Sequence, residues 1–168
     1  MIPAIKKILY STDLSRNSAY AFRYAVDLAQ MRNAKIIILH AVEPMPPYVY
    51  SIGQETLLKT QREHVDMAVS EIKSRLKTFC ETFDTKSDTP CVELVSDILV
   101  QIGHPVEEIL KAADEQNCDL IVLGTHGKGF LLQTFLGSVA RSVLDRTRKP
   151  VFIVPLPSEQ TDIRVDDL

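Results

Sequence analysis

The stretch CDLIVLGTHGKGFLLQTFLGSV, residues 118–139, decides how the rest of the chain is read. Its apolar run Leu120–Leu123 has the length and content of a short buried strand, and Gly124 follows at once. Gly127 and Gly129 come next, and a nine-residue insert, Lys128–Leu136, leads to Gly137-Ser138, where a helix is expected to start. Glycines admit positive φ and let backbone N–H groups approach an anion closely. A helix start adds N–H donors and a partial positive charge. Strand, glycine loop and helix N-terminus together make a candidate phosphate site. A tight strand-to-helix connection without a ligand would use the same residues.

Upstream, Ile5–Tyr10 reads as a buried strand ending in Ser11-Thr12-Asp13-Leu14-Ser15. Ser15 can cap the helix that follows. Ala19, Phe22, Val26 and Ala29 recur there at spacings of three and four, giving one apolar face, and Asn33 is a C-terminal stop. Lys35–Val42 contains the continuous apolar run Ile36–Leu39, which suits a parallel strand covered on both faces. Three prolines and a glycine make Glu43–Gly53 a loop. A long helix is expected over Gln54–Phe83, with Val65, Ala68, Ile72, Leu76, Phe79 and Phe83 as its buried stripe. At 1.5 Å per residue it would run ~45 Å, so it should overhang a small sheet, bend, or begin later.

Residues 84–90 are polar and read as a loop. Cys91–Val95 is the expected third strand, with continuation toward Val100 left open. Ile102–Pro105 is a turn, and Pro105 suits the first position of a helix whose inner face is Val106, Ile109, Leu110 and Ala113. Beyond the glycine loop, Ser138 to about Thr147 is a helix with Val139, Val143 and Leu144 turned inward. Val151–Val154 is the fifth strand. Residues 1–156 make one domain, and 157–168 are a polar, acidic tail with nothing to pack.

Strands therefore alternate with amphipathic helices, which predicts an α/β fold with a doubly wound five-stranded parallel sheet and helices on both faces. In the order 3-2-1-4-5, strands one and four meet at the switch point, where ligands sit outside the carboxyl ends. Asp13 and Gly124 would flank one crevice there.

Composition narrows the function. The chain has 168 residues, 45% of them hydrophobic, and a net charge of −3. No basic face drives counterion release, so nucleic acid is excluded as a general partner. No apolar run reaches the ~18 residues of a membrane-spanning helix. The N-terminus enters a strand almost at once, unlike a signal peptide. Cys80, Cys91 and Cys118 are odd in number and lack a CxxC pair, so neither a zinc site nor a disulfide framework is indicated, and a reducing cytoplasm is the simplest compartment.

The glycine spacing is neither GxxxxGK[ST] nor GxGxxG, which counts against a P-loop and a dinucleotide fingerprint. It is G-x2-G-x9-G-S, following Asp119-Leu-Ile-Val-Leu-Gly124. With Lys6-Lys7-Ile8-Leu9-Tyr10-Ser11-Thr12-Asp13-Leu14-Ser15 at the start and Arg148-Lys149-Pro150-Val151-Phe152-Ile153-Val154-Pro155 at the end, it resembles the universal stress protein family over about residues 4–156.

That resemblance implies a Rossmann-like sheet of order 3-2-1-4-5, a homodimer, and binding of ATP or a related adenine nucleotide. Carried over by position, Gly124, Gly127, Gly137, Ser138 and Val139 would surround phosphates and ribose. Asp13 would lie near ribose or adenine, and Ala41 would line the adenine. Thr12, Leu123 and Lys128 complete the expected set, and a divalent cation would accompany the phosphates. The function implied is regulatory or protective under stress, with nucleotide occupancy as the signal, the 124–138 loop as the responding element and a protein partner reading it.

No catalytic set emerges. His40, His64, His104 and His126 stand on different elements without ligand spacing, and there is no nucleophile elbow. Phe130, Leu131, Leu132, Phe135 and Leu136 make the insert apolar, as core packing or as a flap. At a sheet edge, Val151, Phe152, Ile153 and Val154 would expose backbone groups that the same strand of a second copy could satisfy.

Overall fold

The computed structural model of the chain describes residues 2–46, 53–83, 89–125 and 136–155. The elements in chain order are β1 (Lys7–Ser11), α1 (Arg16–Arg32), β2 (Lys35–Val42), α2 (Gln54–Phe83), α3 (Cys91–Leu94), β3 (Val95–Ile102), α4 (Pro105–Glu115), β4 (Leu120–Gly124), α5 (Ser138–Arg146) and β5 (Val151–Val154). The five strands form one sheet of order β3-β2-β1-β4-β5, parallel throughout. This is the expected doubly wound α/β fold.

Side chains alternate across a strand, so each buried strand feeds two cores. Ile8, Tyr10, Ile36, Ile38, Leu120 and Val122 face the side covered by α1 and α2, where Phe22, Ile72 and Phe79 meet them. Leu9, Ile37, Leu39, Ile121 and Leu123 face the side covered by α4 and α5, against Ile109, Ala113 and Val143. On the first side Tyr10, Phe22 and Phe79 form a chain of rings with successive centroids 4.9 Å apart. The Tyr10 hydroxyl donates to the Ser18 carbonyl at 2.7 Å, which makes this phenol tolerable in the core.

The ends of α1 follow their sequence signals. Ser15 is the N-cap and its hydroxyl accepts the Ser18 N–H at 3.3 Å. Asn33 closes the helix in the left-handed region, φ 49°, a conformation asparagine tolerates. Pro105 begins α4 as expected. An Arg146–Glu107 bidentate pair, 2.6 and 3.0 Å, ties α5 to α4 at the surface and holds the Glu107 carboxyl below its usual range.

Several expectations are corrected. Cys91–Leu94 is a helical turn and β3 begins at Val95, because Val95 is the first residue that pairs with β2. Cys80 and Cys91 form a disulfide, 11 residues apart in sequence, where the spacing of the cysteines indicated none. The helix α2 has its full 30 residues, and its buried positions run from Leu57 through Ala68, Ile72, Leu76 and Phe79 to Cys80. Phe83 is 40% exposed and stacks on Phe79 at 4.5 Å. Leu144 points to solvent at 44% exposure. Gly127, Lys128, His126, the 130–135 part of the apolar insert and the 157–168 tail lie outside the described residues. Among the described residues no helix is long and apolar enough to cross a membrane.

Candidate functional site

The sheet reverses its winding between β1 and β4, which pair side by side with Tyr10 opposite Val122. Their carboxyl ends open into the crevice where an α/β sheet takes a ligand. Two stretches border it among the described residues: 12–15 between β1 and α1, and the residues Gly124, Thr125 and Gly137 that join β4 to the start of α5.

Thr12 is 3% exposed and fully engaged. Its N–H donates to the Leu39 carbonyl at 2.9 Å, its hydroxyl bonds Ser18 Oγ at 2.9 Å, and Leu14 N–H donates to that same hydroxyl at 3.0 Å. Its carbonyl lies 2.8 Å from His40 Nδ1, so the imidazole carries its proton on that nitrogen. Asp13 Oδ1 accepts the Ser15 N–H at 3.0 Å, an Asx turn that aims the carboxylate along the mouth of α1. Leu14 takes φ 63°, a left-handed conformation that its side chain disfavours. Arg75, from α2, donates through Nη1 to the Leu14 carbonyl at 3.1 Å.

On the other border, Gly124 has no side chain because α1 leaves no room for one. A Cβ there would stand 2.5 Å from Asn17 Oδ1 and 3.3 Å from the Asn17 backbone carbonyl carbon. Positive φ is not the reason: among the described glycines Gly53 alone has it. Thr125 N–H donates to the Val154 carbonyl at 3.1 Å, and Gly137 N–H donates to the Thr125 carbonyl at 2.7 Å. The segment therefore leaves and returns at one point beside the crevice.

Gly137 is the N-cap of α5, with φ −63° and ψ 158° and no side-chain capping bond among the described residues. The amides of Ser138, Val139 and Ala140 begin the helix and have no acceptor within it. They carry the helix's partial positive charge. Ser138 is exposed, while Val139 is half-buried against the α4–α5 core. Leu123 is core, 4% exposed, and supports Gly124 from below. Ala41 is half-buried one strand away on β2, opposite Gln101 of β3.

The expected residues Thr12, Asp13, Leu123, Gly124, Gly137, Ser138 and Val139 thus come from distant sequence positions to one end of the sheet. Ala41 joins them from the neighbouring strand. Sequence reasoning missed Asn17, His40 and Arg75. His40 gave a faint signal as a polar residue ending an apolar strand; Asn17 and Arg75 gave none. Among the described residues no group of three or more His, Cys, Asp or Glu side chains could hold a metal. A groove of about 700 Å³ lies elsewhere, between α2 and β3, lined by Lys73, Leu76, Cys80, Val95 and Ile98 among others. It shares none of the crevice residues and has no bearing on this site.

Sheet order and connectivity define a Rossmann-like, doubly wound α/β protein. The model of the universal stress protein family matches residues 4–155, and the chain belongs to that family. It is 30% identical over 154 residues to universal stress protein MJ0577 of Methanocaldococcus jannaschii, covering 89% of this chain and 94% of the relative. It is 33% identical over 149 residues to a universal stress protein of Thermus aquaticus, covering 89% and 98%. Among solved structures, that of MJ0577 superposes with a TM-score of 0.74 at 26% identity, covering 92% of this chain and 99% of that one. UspA of Lactobacillus plantarum superposes at 0.71 with 22% identity, covering 91% and 99%, a likeness of fold.

Proposed function

We propose that the chain binds an adenine nucleotide, ATP or AMP, in the crevice between the ends of β1 and β4, and that occupancy is a regulatory signal under stress. The observation that carries this reading is the start of α5, whose first amides have no helical acceptors and which the Gly137 N–H to Thr125 carbonyl bond holds beside the end of β4. The G-x2-G-x9-G-S spacing resembles that of the family's nucleotide-binding subset, which supports it. A universal stress protein sharing the fold at a TM-score of 0.55 and 24% identity was solved with cAMP, so the architecture accommodates an adenine nucleotide.

In this reading the phosphates take the Ser138, Val139 and Ala140 amides, Asp13 takes a ribose hydroxyl, and Ala41 borders the base. Gly127 and Lys128 join from the connecting segment. A divalent cation would arrive with the phosphates and be held by them. No residue pair is assigned to position water or stabilise a leaving group, so the proposal is binding without dedicated catalysis. The molecule acts as a homodimer joined through the β5 edge.

One observation favours a second reading, a family member that no longer binds nucleotide. Gly124 is explained by the contact with Asn17 and needs no ligand. Titration calorimetry with ATP separates the two. Saturable binding is expected, and Gly137→Val should abolish it, since the added bulk lies where the phosphates approach. The backbone at Gly137 suits any residue, and the circular dichroism of the variant checks that it folds. Absence of binding at millimolar ATP would overturn the nucleotide reading.

A further inference from the structure

We infer that Arg75, on α2 and far in sequence from every motif of the crevice, is a positioning residue that holds Asp13 in its binding geometry. The inference rests on the nucleotide reading of the crevice and adds what keeps that site formed. The connection from β1 to α1 turns through Leu14 at φ 63°. A leucine does not hold this conformation unaided; the surroundings must over-determine it. Two bonds on the turn are local: Leu14 N–H to Thr12 Oγ1 at 3.0 Å, and Ser15 N–H to Asp13 Oδ1 at 3.0 Å. The Leu14 carbonyl, rotated outward by the left-handed turn, is met by Arg75 Nη1 at 3.1 Å across 61 residues of sequence.

Arg75 is prepared for this role. Its Nε pairs with Glu71 Oε1 at 2.7 Å, one helical turn earlier, which fixes the plane of the guanidinium and leaves Nη1 aimed at the loop. Its side chain is 13% exposed, against 50% for Glu71, so the bond to Leu14 is made largely out of water. The helix carrying it is anchored by Ile72, Leu76 and Phe79 in the core, so the donor cannot drift. With the Leu14 carbonyl held, the Asx turn of Asp13 is set; without it, the strained residue relaxes and the carboxylate loses its direction.

The test pairs a measurement without ligand to one with it. Arg75→Met keeps the buried stem and removes the donor, and Arg75→Lys keeps a cationic donor of similar reach. In the Met variant the amides of Leu14 and Ser15 should exchange with solvent about tenfold faster, while those of Leu9 and Tyr10 stay unchanged. The Kd for ATP should rise about tenfold, and the Lys variant should recover most of both effects. A role in packing alone would alter exchange everywhere or nowhere. Unchanged exchange at Leu14 and Ser15 overturns the inference, as does faster exchange with unchanged ATP affinity. Faster exchange in a protein whose parent does not bind ATP would instead overturn the nucleotide reading and leave the Arg75 clamp standing. If the Met variant does not fold, Arg75→Gln is measured the same way, and unchanged loop exchange there overturns the inference.

Discussion

Gly124 shows how one missing side chain serves packing at a site. Its neighbour is the first turn of α1, with Asn17 Oδ1 2.5 Å from where a Cβ would stand. Asn17 is 6% exposed and has little room to move. Gly124→Ala should therefore cost about 2 kcal/mol of stability, the usual size of an overpacking penalty, in protein without nucleotide. Gly137→Val, at an N-cap where glycine is preferred over valine but the backbone is unstrained, should cost less, about 1 kcal/mol. Urea unfolding of both variants checks the contrast; equal stabilities would show that α1 yields to a methyl group. The sequence marked both glycines for the same reason, nearness to phosphate. It could not separate them, because the difference lies in a contact between residues more than a hundred positions apart. The roles of His40 and Arg75 were hidden for the same cause: each acts on the 12–15 turn from another element, 28 and 61 residues away.

At the scale of elements, strands were the most legible. The limits of β2 and β5 were read as they stand, because continuous β-branched runs bounded by turn residues leave little choice. The entry to β3 was misread because Cys91-Val-Glu-Leu94 suits a strand or a helical turn equally, and the decision lies in tertiary structure. Cys91 sits beneath the end of α2, bonded to Cys80, with a Cα separation of 5.3 Å that a disulfide spans without backbone movement. Closing a loop this short contributes about 3 kcal/mol in the chain-entropy account. Cys118 is different: it is 1% exposed, and burial pushes its thiol up to about 11, so it stays protonated and unreactive near neutrality. Thiol counting follows directly. Native protein should show no reactive thiol, denatured protein one, and denatured reduced protein three. A dithiol reductant should also lower the urea midpoint. Three thiols on denaturation without reductant would show that the Cys80–Cys91 bond is not formed in the protein as isolated.

At the scale of the molecule, the two edges of the sheet are unlike, and that difference argues which one would join copies in the proposed dimer. The β3 edge exposes Ser96, Asp97 and Gln101, polar residues that discourage pairing, with Ile102 exposed at its end. The β5 edge presents Val151, Phe152 and Ile153, with Phe152 39% exposed. The Phe152 ring lies 5.9 Å from Tyr24, itself 38% exposed, and Tyr24 bonds Tyr20 through their hydroxyls at 3.2 Å. Aromatic side chains gathered at a sheet edge have the composition of an interface core. Pairing β5 with its own copy would satisfy both rows of free backbone groups and cover these rings together. Phe152→Glu should therefore convert a dimer into a monomer in sedimentation equilibrium at tens of micromolar. Its far-UV circular dichroism should not change, because Phe152 contributes little to either core. A parent protein that sediments as a monomer, or a variant that remains dimeric, would remove β5 as the joining edge. If the dimer forms as expected, the join is close to the site: Thr125 N–H binds the carbonyl of Val154 at the end of this same strand, and Gly137 N–H binds the Thr125 carbonyl in turn. Thus a shift of β5 on dimerisation would reach the start of α5 through two hydrogen bonds, and ATP affinity should fall in the Phe152→Glu monomer.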